Sequence, residues 1–375
     1  MRTFSIAGAA LLVDGIAEAT VQVTGAEITA VTRGIDPQAD YRMEGWIAPG
    51  FVDLQINGAF GFDFTQDPAS VAEVAARLPS TGVTAFLPTI ITSPLEAYAK
   101  LERDLERGAK EARGAQVLGI HLEGPYLNPK RKGAHNPDYL RRPEVRELEA
   151  WTGSPLVRLT TLAPELPGAS EVVRHLRARG VVVSAGHSNA DYTQAMYGFQ
   201  AGITWGTHLF NAMSPFTHRE PGLAGALLSS DVPCGLIVDG VHVHPAAVRA
   251  AFRAKGAQGI ALVTDAMAAM GIGPGKSKLG DRDVLVDENS ARLQDGTLAG
   301  SILQMDAALR NVVEQTSCSL VDALTMTSVT PARVLGLERK GRIAPGCDAD
   351  LVVLDHSLRV EMTVACGEIV YARDV

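Results

Sequence analysis

Eight short apolar runs recur between residues 50 and 264, and helix-compatible stretches lie between them. The runs are 50–56, Val83–Pro88, Gln116–His121, Val157–Ala163, Gly180–Ala185, Ile203–Thr207, Cys234–Asp239 and Gly259–Thr264. Continuous apolar runs of this length, closed by Gly, Ser or Pro, read as strands buried on both faces. Strands joined through a helix run parallel, because the crossover is right-handed. Helix-compatible segments at 94–113, 168–179 and 245–255 supply an outer layer. Eight such alternations lead to one architecture in the α/β class, a (β/α)8 TIM barrel.

The two ends of the chain follow another pattern. Residues Phe4–Val13 imitate the apolar part of a signal peptide, and Ala17-Glu-Ala19 imitates its cleavage site. Asp14-Gly15 is a hairpin turn signal, however, and Val21–Val31 continues as a second hairpin. The segment is therefore read as a strand. Gly346–Asp355 and Met362–Tyr371 return to short strands near the other end. The expected organisation is a small β-sandwich built from residues 1–47 and 343–375, flanking a barrel at 48–342. Gly271–Gly296, rich in Gly and Asp, reads as a hairpin insertion after the eighth strand. Ser301–Gln315 and Leu320–Thr327 read as helices, and Thr330-Pro331 suits a helix start.

Charge and cysteine usage narrow the partners. A net charge of −8 argues against nucleic acid and provides no basic patch for a membrane surface. The four cysteines form no C-x-x-C pair, so neither a disulfide framework nor a zinc knuckle is indicated. A reducing, cytoplasmic setting is the expectation. No apolar run is long enough to span a bilayer.

In a barrel of this kind the chemistry sits at the C-terminal strand ends. There the sequence offers His121-Leu-Glu123, His187, His208, Asp239-Gly-Val-His242 and Thr264-Asp265. A single histidine at such a place reads as readily as a satisfied core residue. Two at matching ends of neighbouring strands, with Glu123, form the ligand type of a catalytic zinc that keeps an open position. Ferrous iron or another divalent ion fits the same donors. Glu123 could instead pair with Arg or Lys in the barrel mouth. Asp265 ends a rigid apolar strand and suits a general base, although Asp is also common at caps and turns. Lys130, Arg131, Lys132 and Arg219 put cations near the mouth, either as phosphate ligands or as solvated loop charges.

Taken in order, Ala48-Pro-Gly-Phe-Val-Asp, His121-Leu-Glu-Gly-Pro, Gly133-Ala-His135-Asn-Pro, Gly186-His-Ser-Asn, Thr207-His-Leu-Phe-Asn-Ala-Met, Arg219-Glu-Pro-Gly, Asp239-Gly-Val-His242, Thr264-Asp-Ala and Gly346-Cys-Asp-Ala-Asp-Leu-Val resemble the N-acetylglucosamine-6-phosphate deacetylases of the amidohydrolase superfamily. The resemblance covers essentially the whole chain. It implies Glu123, His187 and His208 as ligands of one divalent metal, with zinc the first choice, and Asp265 as the acid/base. It also implies a sugar-phosphate site lined by Ala134, His135, Asn211, Ala212, Arg219, Asp239, Gly240, Val241, His242, Leu298, Ala299 and Gly300. His135 would sit by the acetamide carbonyl, while Arg219 and His242 would hold the phosphate end. The implied reaction is hydrolysis of N-acetylglucosamine 6-phosphate to glucosamine 6-phosphate and acetate, by a homodimer. The galacto epimer as substrate, or a silent binding scaffold, are the alternatives. One departure stands out: many amidohydrolases carry His-x-His on the first strand for a second metal, and here it reads Gln55-Ile-Asn57. Amides are poor zinc ligands, so one metal per site is expected.

Overall fold

A computed structural model describes residues 2–151 and 154–373. The eight barrel strands are Phe51–Ile56, Val83–Ile91, Ile120–Glu123, Val157–Leu162, Val182–Ala185, Trp205–Gly206, Cys234–Leu236 and Ile260–Leu262. They pair in parallel, each with its neighbour in the chain. Closure comes just beyond the eighth strand. The Asp265 N–H donates to the Gln55 carbonyl (2.9 Å) and the Asn57 N–H to the Ala266 carbonyl (2.7 Å). The strands are mostly apolar because helices cover the outside and side chains fill the inside, and their buried polar residues, such as Gln55 and Glu123, gather toward the site. Leu54, Phe86, Leu122, Val183, Trp205 and Leu236 are almost fully buried.

The third strand differs from its sequence expectation. Gln116–Val117 forms a short separate pairing with the second strand, and the barrel strand proper is Ile120–Glu123. Gly119 separates the two pieces with φ +139°, and a Cβ there would stand 2.5 Å from the Leu156 carbonyl oxygen. The chain kinks where only glycine fits.

The expected helices 94–113, 168–179 and 245–255 are Tyr98–Glu111, Ala169–Ala178 and Pro245–Lys255. Met305–Thr316 follows the insertion. Leu320–Leu324 then runs through a π-helical turn at Thr325–Val329 into Thr330–Val334. Pro331 thus opens a last α-turn within a continuing helix rather than a fresh start.

The N-terminal hairpins form as expected: Thr3–Leu12 pairs with Gly15–Thr24, which pairs with Glu27–Arg33. Tyr41–Pro49 joins them to Leu351–Leu354, Val360–Ala365 and Glu368–Ala372 in one seven-stranded sheet. This sheet folds over on itself. Ile28 exchanges backbone hydrogen bonds with Cys347 and Gly346, and Glu27 bridges Asp348. The enclosed core of Phe4, Ile6, Val21, Ile28, Ile47, Leu351 and Val364 is distinct from that of the barrel.

The expected hairpin insertion is a three-stranded antiparallel sheet, Gly275–Leu279, Arg282–Val286 and Ala291–Arg292. Its tip is pinned beside the barrel mouth. The Gly280 N–H donates to buried Asp63 (2.9 Å), and Asn136 Nδ2 donates to Asp281 (2.6 Å).

Candidate metal centre and active site

A cavity of about 340 Å3 opens at the C-terminal end of the barrel. Glu123, His135, His187, His208, His242 and Asp265 all face it, and so do Ala134, Asn211, Ala212, Leu298 and Gly300. The donor atoms Glu123 Oε1, His187 Nε2 and His208 Nε2 lie 3.1–3.2 Å apart. Ligands at about 2.0–2.1 Å around a tetrahedral zinc stand about 3.3 Å from one another. The three atoms therefore form one face of such a tetrahedron, and the donor set suits a divalent ion. His187 Nδ1 donates to the Arg131 carbonyl (2.9 Å), which leaves its Nε2 lone pair free. Gly133, at φ +56°, lets that loop pass within 3.2 Å of the His187 ring, counted from where a Cβ would stand.

His187, His208 and Asp265 all have left-handed backbones, with φ of 47°, 28° and 49°. For residues with a Cβ this costs about 1–2 kcal/mol each. Strain of this kind persists where surrounding structure imposes it, commonly at functional sites. Here it bends each side chain from its strand end into the cavity.

The first-strand amides are not idle. Asn57 Nδ2 donates to Asp265 Oδ1 (2.7 Å), and Gln55 Nε2 reaches both Asp265 Oδ1 (3.1 Å) and Glu123 Oε1 (3.0 Å). Gln55 thus bridges the two buried carboxylates, and Asn57 adds a second neutral donor to Asp265. The carboxylates are driven in opposite directions. Burial, joined by the nearby Glu123 charge, pushes Asp265 up to about 6, against the pull of His208, His242 and Asn57. Burial also acts on Glu123, but the imidazoles of His135, His187 and His208 around it outweigh burial and hold it well below the usual range. Burial keeps His187 low. Burial opposes the charge on His208 too, yet the adjoining Glu123 and Asp265 raise it overall.

Other anticipated residues take indirect positions. Asp239 Oδ2 accepts from His242 Nδ1 (2.6 Å), and its Oδ1 accepts the Val241 and His242 N–H groups. It orients His242, with Gly240 and Val241 in the same turn, and does not itself line the cavity. Ala299 is fully buried in the core beneath the insertion. Arg219 is exposed on the loop before helix Gly222–Ser229 and does not line the cavity. Lys130 and Arg131 do line it. Sequence reasoning missed Ile91, Thr92, Leu279 and Thr297. Ile91, Leu279 and Thr297 line the cavity, and Thr92 holds His135. The insertion was legible as a hairpin, but nothing in it signalled that Leu279 reaches the mouth.

The amidohydrolase family model matches residues 46–370. The chain is 48% identical over 345 residues to the human N-acetylglucosamine-6-phosphate deacetylase, covering 88% of this chain and 84% of that protein. The chain belongs to the amidohydrolase family, among its N-acetylglucosamine-6-phosphate deacetylases. The fold agrees. A solved structure of an aspartate-to-alanine variant of the Mycobacterium smegmatis N-acetyl-D-glucosamine-6-phosphate deacetylase, in complex with N-acetyl-D-glucosamine-6-phosphate, superposes with a TM-score of 0.93 at 35% identity. That match covers 99% of this chain and 100% of the other. An Escherichia coli O157:H7 N-acetylgalactosamine-6-phosphate deacetylase is 39% identical over 330 residues, covering 86% of this chain and 87% of that protein. This amidohydrolase has no helix among its described residues that is long and apolar enough to cross a membrane.

Proposed function

We propose that this amidohydrolase cleaves the acetamide of N-acetylglucosamine 6-phosphate, giving glucosamine 6-phosphate and acetate. The observation that carries the reading is Asp265, held by two amides across from the Glu123, His187 and His208 donors in one cavity. Those three residues would hold one divalent ion, zinc by preference. When bound, that ion supplies Lewis acidity for activating water and polarising the amide carbonyl. Gln55 and Asn57 occupy Asp265 Oδ1, so Oδ2 is the atom that takes the proton of the attacking water. Asp265 then passes this proton to the departing nitrogen. His135 donates toward the carbonyl oxygen as negative charge develops there. His242, oriented by Asp239, serves the phosphate end, and Ala134, Asn211, Ala212, Leu298 and Gly300 shape the sugar site. The same proposal includes a homodimer in the cytoplasm, and a catalytic unit at 48–342 carried on the β-sandwich of residues 1–47 and 343–375.

The galacto epimer is the second reading, favoured by the similarity to the Escherichia coli enzyme. Acetate release from both epimers by the zinc-supplemented protein decides between them. Selective turnover of the gluco compound is expected. Preference for the galacto compound reassigns the substrate, and no release from either refutes the reaction.

A further inference from the structure

Three imidazoles crowd the Glu123 carboxylate, yet the proposed ligand set uses only two. Distance alone does not exclude the third: donor atoms of Glu123, His135 and His187 lie within 4.8 Å of one another. The difference lies at the far nitrogen of each ring. His187 Nδ1 faces a carbonyl oxygen, which only accepts, so the proton is on Nδ1 and Nε2 is bare. His135 Nδ1 faces the Thr92 backbone N–H at 3.3 Å, and the Thr92 hydroxyl at 2.9 Å. A backbone N–H only donates, so His135 Nδ1 must be bare and the proton must be on Nε2. That Nε2 lies 3.5 Å from Glu123 Oε2, on the cavity side.

We infer that Thr92 is a positioning residue that fixes His135 as the Nε2–H tautomer, barring it from the metal and committing it to donate to the substrate carbonyl oxygen. Thr92 directly follows the second barrel strand, Val83–Ile91. Its hydroxyl has one proton to share between His135 Nδ1 and the Glu123 carbonyl at 3.2 Å, so the backbone N–H, which only donates, is the group that fixes the tautomer. Thr92 and His135 are 3% and 4% exposed, so the ring's hydrogen bonding is set by protein groups. The inference rests on the deacetylase reading for the carbonyl, but not for the tautomer.

The test uses full-length protein with 15N-labelled histidine, loaded with cadmium-113 and observed by NMR. Cadmium coupling is expected at Nε2 of His187 and His208. His135 is expected to show a protonated Nε2, a bare Nδ1 and no coupling. Cadmium coupling at His135, or a protonated Nδ1 there, overturns the inference. Zinc-loaded Thr92→Val is expected to lose about tenfold in kcat, with KM and zinc content unchanged, and Thr92→Ser to regain most of it. Wild-type kcat in Thr92→Val overturns the positioning role of the hydroxyl, while the tautomer, set by the N–H that valine keeps, stands or falls on the NMR result. A wild type with the stated tautomer that releases no acetate refutes the deacetylase reading instead.

Discussion

Replacing Asn57 with leucine removes the shortest hydrogen bond to Asp265 while nearly keeping side-chain volume. The bond is charge-assisted when Asp265 is ionised, and such bonds contribute about 1.5–3 kcal/mol. Two consequences follow from that magnitude. Asn57 stabilises the ionised form, so its loss raises the Asp265 pKa further above its ordinary value, by about 1–2 pH units. A general base works only when deprotonated, so the acid limb of kcat/KM moves to higher pH by the same amount. At pH 7 the variant then combines a smaller ionised fraction with a looser carboxylate, and kcat falls about 10- to 100-fold. The assay is acetate release from pH 5 to 9, with bound metal quantified in the same samples. An acid limb that does not move, with kcat within twofold of wild type and full metal, refutes the reasoning. Gln55→Leu provides the contrast, because Gln55 also holds Glu123. It is expected to weaken metal binding about 10- to 100-fold, which Asn57→Leu does not.

Asp265→Asn keeps the shape of the site but removes the proton carrier; kcat should drop about 10²- to 10⁴-fold with metal retained, and full activity would end its assigned role. Chelation should abolish turnover and lower the melting temperature, with zinc restoring both; at one hundred times Kd the bound ion stabilises by about 2.7 kcal/mol. Asp53 is fully buried beneath Thr264, and burial pushes it up to about 7. Its folded pKa lies above its ordinary 3.8, so its contribution to stability is present below pH 3.8 and lost as pH rises to 7. Asp53→Asn should therefore gain on wild type by about 1 kcal/mol per pH unit between pH 5 and 7 in denaturant unfolding; parallel curves would show that Asp53 is not so perturbed.

The barrel was legible because burial on both faces forces each strand to be a continuous apolar run, and eight such runs have few solutions. The strand-end rule then located Glu123, His187, His208 and Asp265 without any coordinate. What escaped is what strand-end logic does not encode. Histidine and aspartate are enriched among non-glycine residues at positive φ, but not strongly enough to mark in advance the left-handed backbones of His187, His208 and Asp265. Thr92 and His135 meet across two separate strand-end loops, a contact that no local pattern announces. Gln55 and Asn57 were visible only as the loss of two histidines. Their gain, a pair of donors on Asp265, needed the barrel closed. Asp239 and Ala299 share motifs with cavity residues but point elsewhere, one to His242 and one into the core.

That exchange of imidazole for amide explains why a one-metal site can work. Two buried carboxylates facing one ion have competing needs. Glu123 must stay charged to bind the ion, and its imidazole surroundings already hold its pKa low. Asp265 must shuttle a proton, which calls for a pKa near the working pH. A second cation on the first strand would draw Asp265 into its own ligand set and depress its pKa, which would cost it basicity. Gln55 and Asn57 are neutral. They hold Asp265 in place, Gln55 offsets its repulsion from Glu123, and neither adds a charge that would depress its pKa. Carboxylates whose pKa values are pushed apart by their surroundings mark divided labour. On the proposed reading one binds and the other transfers protons, with Gln55 spanning the two.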